Sequence, residues 1–272
     1  MFAKLLKHEW KATSRLLGIL SLCALGVGPM AGFTLRTIIR FSEKVVADSV
    51  AILVVMGFGL LLLGLFLALI VYAVGTEFYL LFRFYKTRFT DQGYLAFTLP
   101  VSNRGILLSS YMNMLLWMLI SVITVLISVV IAVAIGLAGN VDGGDLQAGL
   151  KFYGDALKAY DMDGYVVLQI VGILVSVAAN VMILMGSVTV GAVIAKKHKI
   201  LAAIGIYYGQ SLVMSILASV IQLAASLTMM NGSSFTTEYV WVTGLTYILQ
   251  AVWGLGAYFL SLHLINKKLN LP

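Results

Sequence analysis

The sequence predicts an all-α polytopic membrane protein. It should have six transmembrane helices, an N-terminal interfacial helix and a short cytosolic helix between spans two and three. Composition is the first reason. Of 272 residues, 61% are hydrophobic and only 11% charged, whereas a soluble domain carries about 25% charged residues. Mean hydropathy is +1.02. The second reason is length. Six stretches, 16–39, 50–74, 106–137, 165–195, 200–230 and 239–265, are apolar over the ~20 residues that a ~30 Å hydrocarbon core requires. Three of them exceed thirty residues, so they must tilt, kink or project beyond the bilayer.

Residues 1–15 read MFAKLLKHEWKATSR. Phe2, Leu6, Trp10, Thr13 and Leu17 recur at spacings of three and four, with Lys4, Lys7, His8, Lys11 and Arg15 opposite. Such a helix rests in the membrane interface, apolar face down and cations among the headgroups. A cytosolic extension of the first span is the alternative. His8 belongs to the polar face. The first span is too long for a cleavable signal, and an amphipathic segment already precedes it. Cys23 is the single cysteine, which rules out an intrachain disulfide and suits a small apolar position.

Spans two and three are separated by a polar island over 77–104, EFYLLFRFYKTRFTDQGYLAFTLPVSNR. It is too basic to lie in lipid and too aromatic for a solvated linker. Tyr85, Phe89, Tyr94, Leu95 and Phe97 need a surface to bury against. Thr90 and Asp91 can cap a short helix over 91–97, because an oxygen side chain accepts the free first-turn N–H groups. Pro100 ends that helix, and Ser102 or Asn103 can cap the next. The island reads as a docking element.

The connection over 139–164 carries Leu146, Leu150, Tyr153, Leu157 and Tyr160 at alternating spacings of four and three, a helical stripe. A short amphipathic helix at the outer surface follows. Asp142, Asp145 and Asp163 lack the D-x-D-x-D-G order of a calcium loop and read as solvated acids. Spans four and five are joined by Lys196, Lys197, His198 and Lys199 alone, a basic turn that anchors two helix ends. There is no linker or second soluble domain; 1–272 reads as one membrane domain.

Charge sets the expected orientation. With both termini placed inside, the inner segments hold thirteen basic residues against three acidic ones, Glu9, Glu77 and Asp91. The outer segments hold five basic and eight acidic residues. Lys and Arg resist translocation, so both termini are expected in the cytoplasm. The basic balance is a topology signal and not a nucleic-acid footprint.

No G-x-x-x-x-G-K-[ST] phosphate loop and no H-E-x-x-H occurs in the chain, and no Asp, Glu, Lys or Arg lies near the middle of a span. Proton relays and voltage sensors need ionisable groups there. Acid–base or metal-dependent catalysis would also lack its groups. What the spans carry is neutral polarity. In span five, Ser211, Ser215, Ser219, Gln222 and Ser226 share one face, and span four has Asn180 near its centre with Ser176, Ser187 and Thr189. Two readings stand: helix packing through hydroxyls and small residues, with Gly28–Gly32 and Gly205–Gly209 at G-x-x-x-G spacing, or a pathway for an amphipathic substrate.

The stretch RFYKTRFTDQGYLAFTLPVSNRGILLSSY resembles the permease subunits of ABC-2-type exporters. In that family a charged, helix-forming segment follows the second span, and a "tLPvs" element and the third span come next. The matching positions are Arg83, Lys86, Arg88, Asp91, Gly93, Leu99, Pro100, Val101 and Ser102. The leading KLLKHEWKATSR is similar to the N-terminal interfacial helix of bacterial permeases of this kind. The resemblance implies two six-helix half-transporters facing each other, the second an identical or related chain. Each would dock a cytosolic ATPase through the segment between spans two and three, here Arg83, Lys86, Arg88, Asp91, Tyr94, Leu95, Phe97 and Pro100. It implies that spans two and five face a central cavity, which makes Ser211, Ser215, Ser219, Gln222, Ser226 and Asn180 candidates for the substrate pathway. ATP and Mg would sit on the ATPase; this chain would bind no cofactor or metal and catalyse nothing itself. Membrane lipid is a further expected partner, and the bacterial cytoplasmic membrane the expected location. The connection over 231–238 is short, so the large outer domains of some relatives are missing. The expected activity is ATP-driven export of an amphipathic or hydrophobic molecule: a peptide, a drug-like compound or a lipid. The rival reading is a membrane scaffold or immunity protein that binds a partner without transport.

Overall fold

A computed structural model describes residues 2–42, 49–90, 93, 102–138, 143–159, 163–195, 197–229 and 235–268. Its elements are all helices: α1 (Phe2–Ser42), α2 (Ser49–Phe89), α3 (Asn103–Leu137), α4 (Gly143–Ala159), α5 (Asp163–Ile194), α6 (Lys199–Met229) and α7 (Phe235–Lys268). All but α4 are long and apolar enough to cross a membrane. The six expected spans thus correspond to six helices of spanning length, and the stripe after span three falls on α4 except for Tyr160, which lies outside the described residues.

Two helices run well past their apolar stretches. At ~1.5 Å per residue, the 41 residues of α1 and of α2 extend about 60 Å, twice the ~30 Å hydrocarbon core. Residues 2–15 are the first four turns of α1, with no break before the first span. The island over 77–104 begins as helix: α2 continues through Glu77, Arg83, Lys86 and Arg88 to Phe89. The Thr90 hydroxyl donates back to the Lys86 carbonyl, so it closes the last turn of α2. The short helix expected over 91–97 lies, apart from Gly93, outside the described residues. Gly93 is helical, and its N–H donates to the Thr90 carbonyl at 2.7 Å. A Cβ at Gly93 would collide with the Arg88 carbonyl, so this approach requires glycine. Ser102 caps α3 as expected, its hydroxyl accepting the Gly105 N–H at 3.3 Å.

The helices fall into two compact units. One comprises Lys11–Phe78 and Trp117–Gly154. In it α1 and α3 pack in parallel, with contacts advancing together along both. Trp117 Nε1 donates to Thr13 Oγ1 at 2.9 Å, and Ser128 Oγ donates to the Ala24 carbonyl at 3.0 Å. Gly28 then faces the Ser128 backbone, and Gly32 faces Ala132 and Ile135. Ser128 braces the turn just before Pro29, whose ring removes the N–H that the Leu25 carbonyl would otherwise receive. Ser and Thr side chains commonly stabilise such a turn in membrane helices. Tyr72 on α2 shares a 2.8 Å hydrogen bond with Ser21.

The other unit comprises Met1–Trp10, Tyr79–Leu116 and Asp155–Pro272. Here α5 is the central helix, with Val181, Leu184, Met185, Ser187, Val188 and Thr189 buried. It packs in parallel on α7, where small residues let the backbones close. Gly186 meets Ala257, and Gly254 meets Ala179. It packs against α6 as a hairpin, with Gly191 against Ala203 next to the basic turn. Gly205 and Gly209 have open space in front of them, so that G-x-x-x-G pair is not a seam within the chain.

Candidate functional site

Three membrane-length helices each place amide or hydroxyl groups near mid-length, and these groups meet. On α5 the Asn180 Oδ1 accepts from the Tyr207 hydroxyl of α6 at 2.9 Å. On α6 the Gln210 amide spans to both neighbours. Its Nε2 donates to Ser187 Oγ of α5 at 3.0 Å, and its Oε1 accepts Trp253 Nε1 of α7 at 3.1 Å. On α7 the Gln250 Oε1 accepts from Ser176 Oγ of α5 at 2.9 Å. One helical turn or two further along, the Tyr247 hydroxyl donates to Gln169 Oε1 at 2.7 Å. A polar group buried in apolar surroundings is costly without a partner, and this ladder supplies partners across all three helices.

Around the ladder lie two cavities. The first, about 310 Å³, is lined by Asn180, Gln210, Ser211, Ser215, Thr246 and Gln250, with apolar side chains between them. The second, about 440 Å³, is walled by Val190, Ile206, Val252, Trp253 and Leu260 and shares Gln210 with the first. No charged side chain lines either one.

Of the candidate pathway residues, the structure brings Asn180, Ser211 and Ser215 together at the first cavity. Ser219, Gln222 and Ser226 continue the stripe along α6, outside its lining. All five stripe residues on α6 are exposed within this chain. Their hydroxyls do not bridge helices: Ser211 donates to the Tyr207 carbonyl, Ser219 to Ser215 and Ser226 to Leu223. Of the candidates, Asn180 bonds between helices, to Tyr207; the other interhelical bonds run through Gln210, Gln250, Trp253 and Tyr247, which the span-five stripe did not point to. Scoring every Asn and Gln inside an apolar span would have found Gln210 and Gln250.

The island residues sit differently. Arg88 is turned inward. Its Nη2 donates to Glu9 Oε1, and Nη2 and Nε reach Ser110 Oγ at 2.7 and 3.2 Å. Ser110 Oγ also donates to Glu9 Oε1 at 3.1 Å. The Arg88 and Glu9 side chains are 7% and 15% exposed. Beside them Phe84 and Phe89 are buried and pack edge-on at 5.9 Å, so Phe89 finds its surface within the chain. Lys86 is exposed and Arg83 half-buried. Asp91, Tyr94, Leu95, Phe97 and Pro100 lie outside the described residues. Glu9 and Arg88 are 79 positions apart, and nothing in either local pattern announces the pair.

No family model, curated protein or solved structure matches the chain.

Proposed function

We propose that this chain is the transmembrane subunit of an ATP-driven exporter, moving an amphipathic or hydrophobic substrate with energy from a separate ATPase. The observation that carries the reading is the uncharged, hydrogen-bonding cavity at the mid-length of α5, α6 and α7, in a chain with no phosphate-binding loop of its own. A path for ions or protons would need ionisable groups at that depth. A neutral, mixed polar and apolar surface suits an amphipathic molecule instead. The least covered of the six long helices support the same reading. In α2 and in α6 only 6% of the most apolar window is buried, and these are the two spans that the family resemblance turns toward a central cavity shared with a second permease chain. Arg88, Glu9 and Ser110 would then hold the base from which the coupling segment emerges.

The test is purification of the chain together with the products of its neighbouring genes, a search for a co-purifying ATPase, and ATPase assays with candidate substrates. Phe97→Asp is expected to abolish co-purification while the membrane domain stays folded, because buried aromatic anchors dominate interface energy. A complex that survives this change removes the coupling assignment, and failure of any ATPase to co-purify favours the scaffold reading.

Both termini and the basic turn belong in the cytoplasm on this reading. Cysteines placed at His198 and Gly149, both exposed, in a background lacking Cys23, are expected to label oppositely. An impermeant thiol reagent outside intact cells should modify position 149 and spare 198. Labelling of position 198 from outside would invert the topology and remove the docking argument with it.

A further inference from the structure

The geometry points to a two-compartment binding site for one class of molecule: an uncharged, elongated amphipath that carries an amide or ester carbonyl on an aliphatic body. The inference rests on the export reading and specifies its substrate. Its basis is the way Gln210 stands between the two cavities. That side chain lines both of them, and its amide is held at each end, by Ser187 and by Trp253. The larger cavity, walled by Val190, Ile206, Val252 and Leu260, offers dispersion contact and almost no hydrogen bonding. The smaller one is where polar groups gather.

The state of those polar groups selects the ligand. Asn180 is engaged with Tyr207, while Ser211 and Thr246 spend their protons on the carbonyls of Tyr207 and Thr243. Two donors at the smaller cavity make no hydrogen bond among the described residues: the Ser215 hydroxyl and the Nε2 of Gln250, whose Oε1 is fixed by Ser176. The ligand group that completes such a site is an acceptor. A carboxylate or phosphate would enter with no cation to balance it, at a depth where burying an unpaired charge is heavily penalised. A primary ammonium would find no anion. A neutral carbonyl satisfies both donors and brings no charge. Its aliphatic continuation fills the larger cavity past Gln210, and ~300–1,000 Å³ is the usual range of a small-molecule site.

The experiment uses the full chain in lipid nanodiscs and three photoprobes sharing one diazirine-bearing decyl tail. They are N-decanoyl-leucine methylamide, the corresponding free carboxylate, and a decane without a head. The methylamide is expected to label peptides spanning 206–218 and 246–260 saturably, and at least fivefold more strongly than the carboxylate. Ser215→Ala and Gln250→Leu should each lower that labelling severalfold. Leu201→Ala, on the same helix but lining neither cavity, should leave it unchanged. Melting temperatures of the variants check that each remains folded. Equal labelling by the headless decane, insensitive to both variants, would mean that lipid chains fill the groove, and the inference fails. It fails equally if the carboxylate labels as well as the methylamide. Labelling needs no ATPase. Lost labelling with an intact permease–ATPase complex therefore defeats this inference alone, while retained labelling with no co-purifying ATPase defeats only the export reading.

Discussion

Arg88→Met is expected to destabilise the folded chain by about 3–5 kcal/mol, the cost of removing one partner from a buried ion pair. The Glu9 carboxylate is 15% exposed and shares Arg88 with Ser110. Without the guanidinium it keeps its desolvation cost and loses its countercharge. Restoring a matched apolar pair, Glu9→Leu with Arg88→Met, should recover most of the loss, because a buried ion pair is weak net stabilisation even where breaking it is costly. A double-mutant cycle read by urea or thermal unfolding in detergent gives the coupling directly. A single-variant loss under ~1 kcal/mol would show that water reaches the cluster and screens it, as at surface pairs.

That cluster also shows what the sequence could and could not disclose. Hydropathy located all six long helices, because transfer of apolar side chains into lipid is a local, additive quantity. It started span one at residue 16 and ended span two at residue 74, whereas α1 begins at Phe2 and α2 ends at Phe89. A helix does not stop where lipid stops. Glu77, Arg83 and Lys86 are good helix formers, and no Gly or Pro interrupts them before Gly93. Periodicity found α4 and the span-five stripe, since both signals live within one helix. Pairings between helices were not legible. The resemblance implied a coupling role for Arg88; its guanidinium is turned onto Glu9, and only the tertiary arrangement brings those two together. The α5–α7 seam does carry a local signal: Gly172, Ala179 and Gly186 recur every seven residues, a spacing that keeps small side chains on one line of a helix. All three face α7, at Tyr247, Gly254 and Ala257.

The two G-x-x-x-G pairs make the sharpest contrast, because identical substitutions should act with opposite sign. A Cβ at Gly28 would lie 2.6 Å from the Ser128 carbonyl oxygen and 3.0 Å from its Cα; at Gly32 it would lie 2.6 Å from Ile135 Cβ and 2.9 Å from the Ala132 oxygen. Most of these neighbours are backbone and cannot swing aside, so α1 and α3 must move apart. Separation also stretches the Ser128–Ala24 and Trp117–Thr13 hydrogen bonds, at 3.0 and 2.9 Å. Gly28→Ala with Gly32→Ala is therefore expected to cost about 3 kcal/mol, the upper part of the usual range for overpacking. At Gly205 and Gly209 an added methyl meets nothing within 4 Å. There alanine only removes the backbone freedom of glycine, which favours the helix by about 0.5–1 kcal/mol per site. Unfolding of the two double variants in detergent should thus bracket the native chain, the first below it and the second at or above it. If Gly205→Ala with Gly209→Ala proves the more damaging pair while the purified protein is dimeric, the open face of α6 is a seam with a second copy. The exposed serines beside it would then be packing groups and not a pathway.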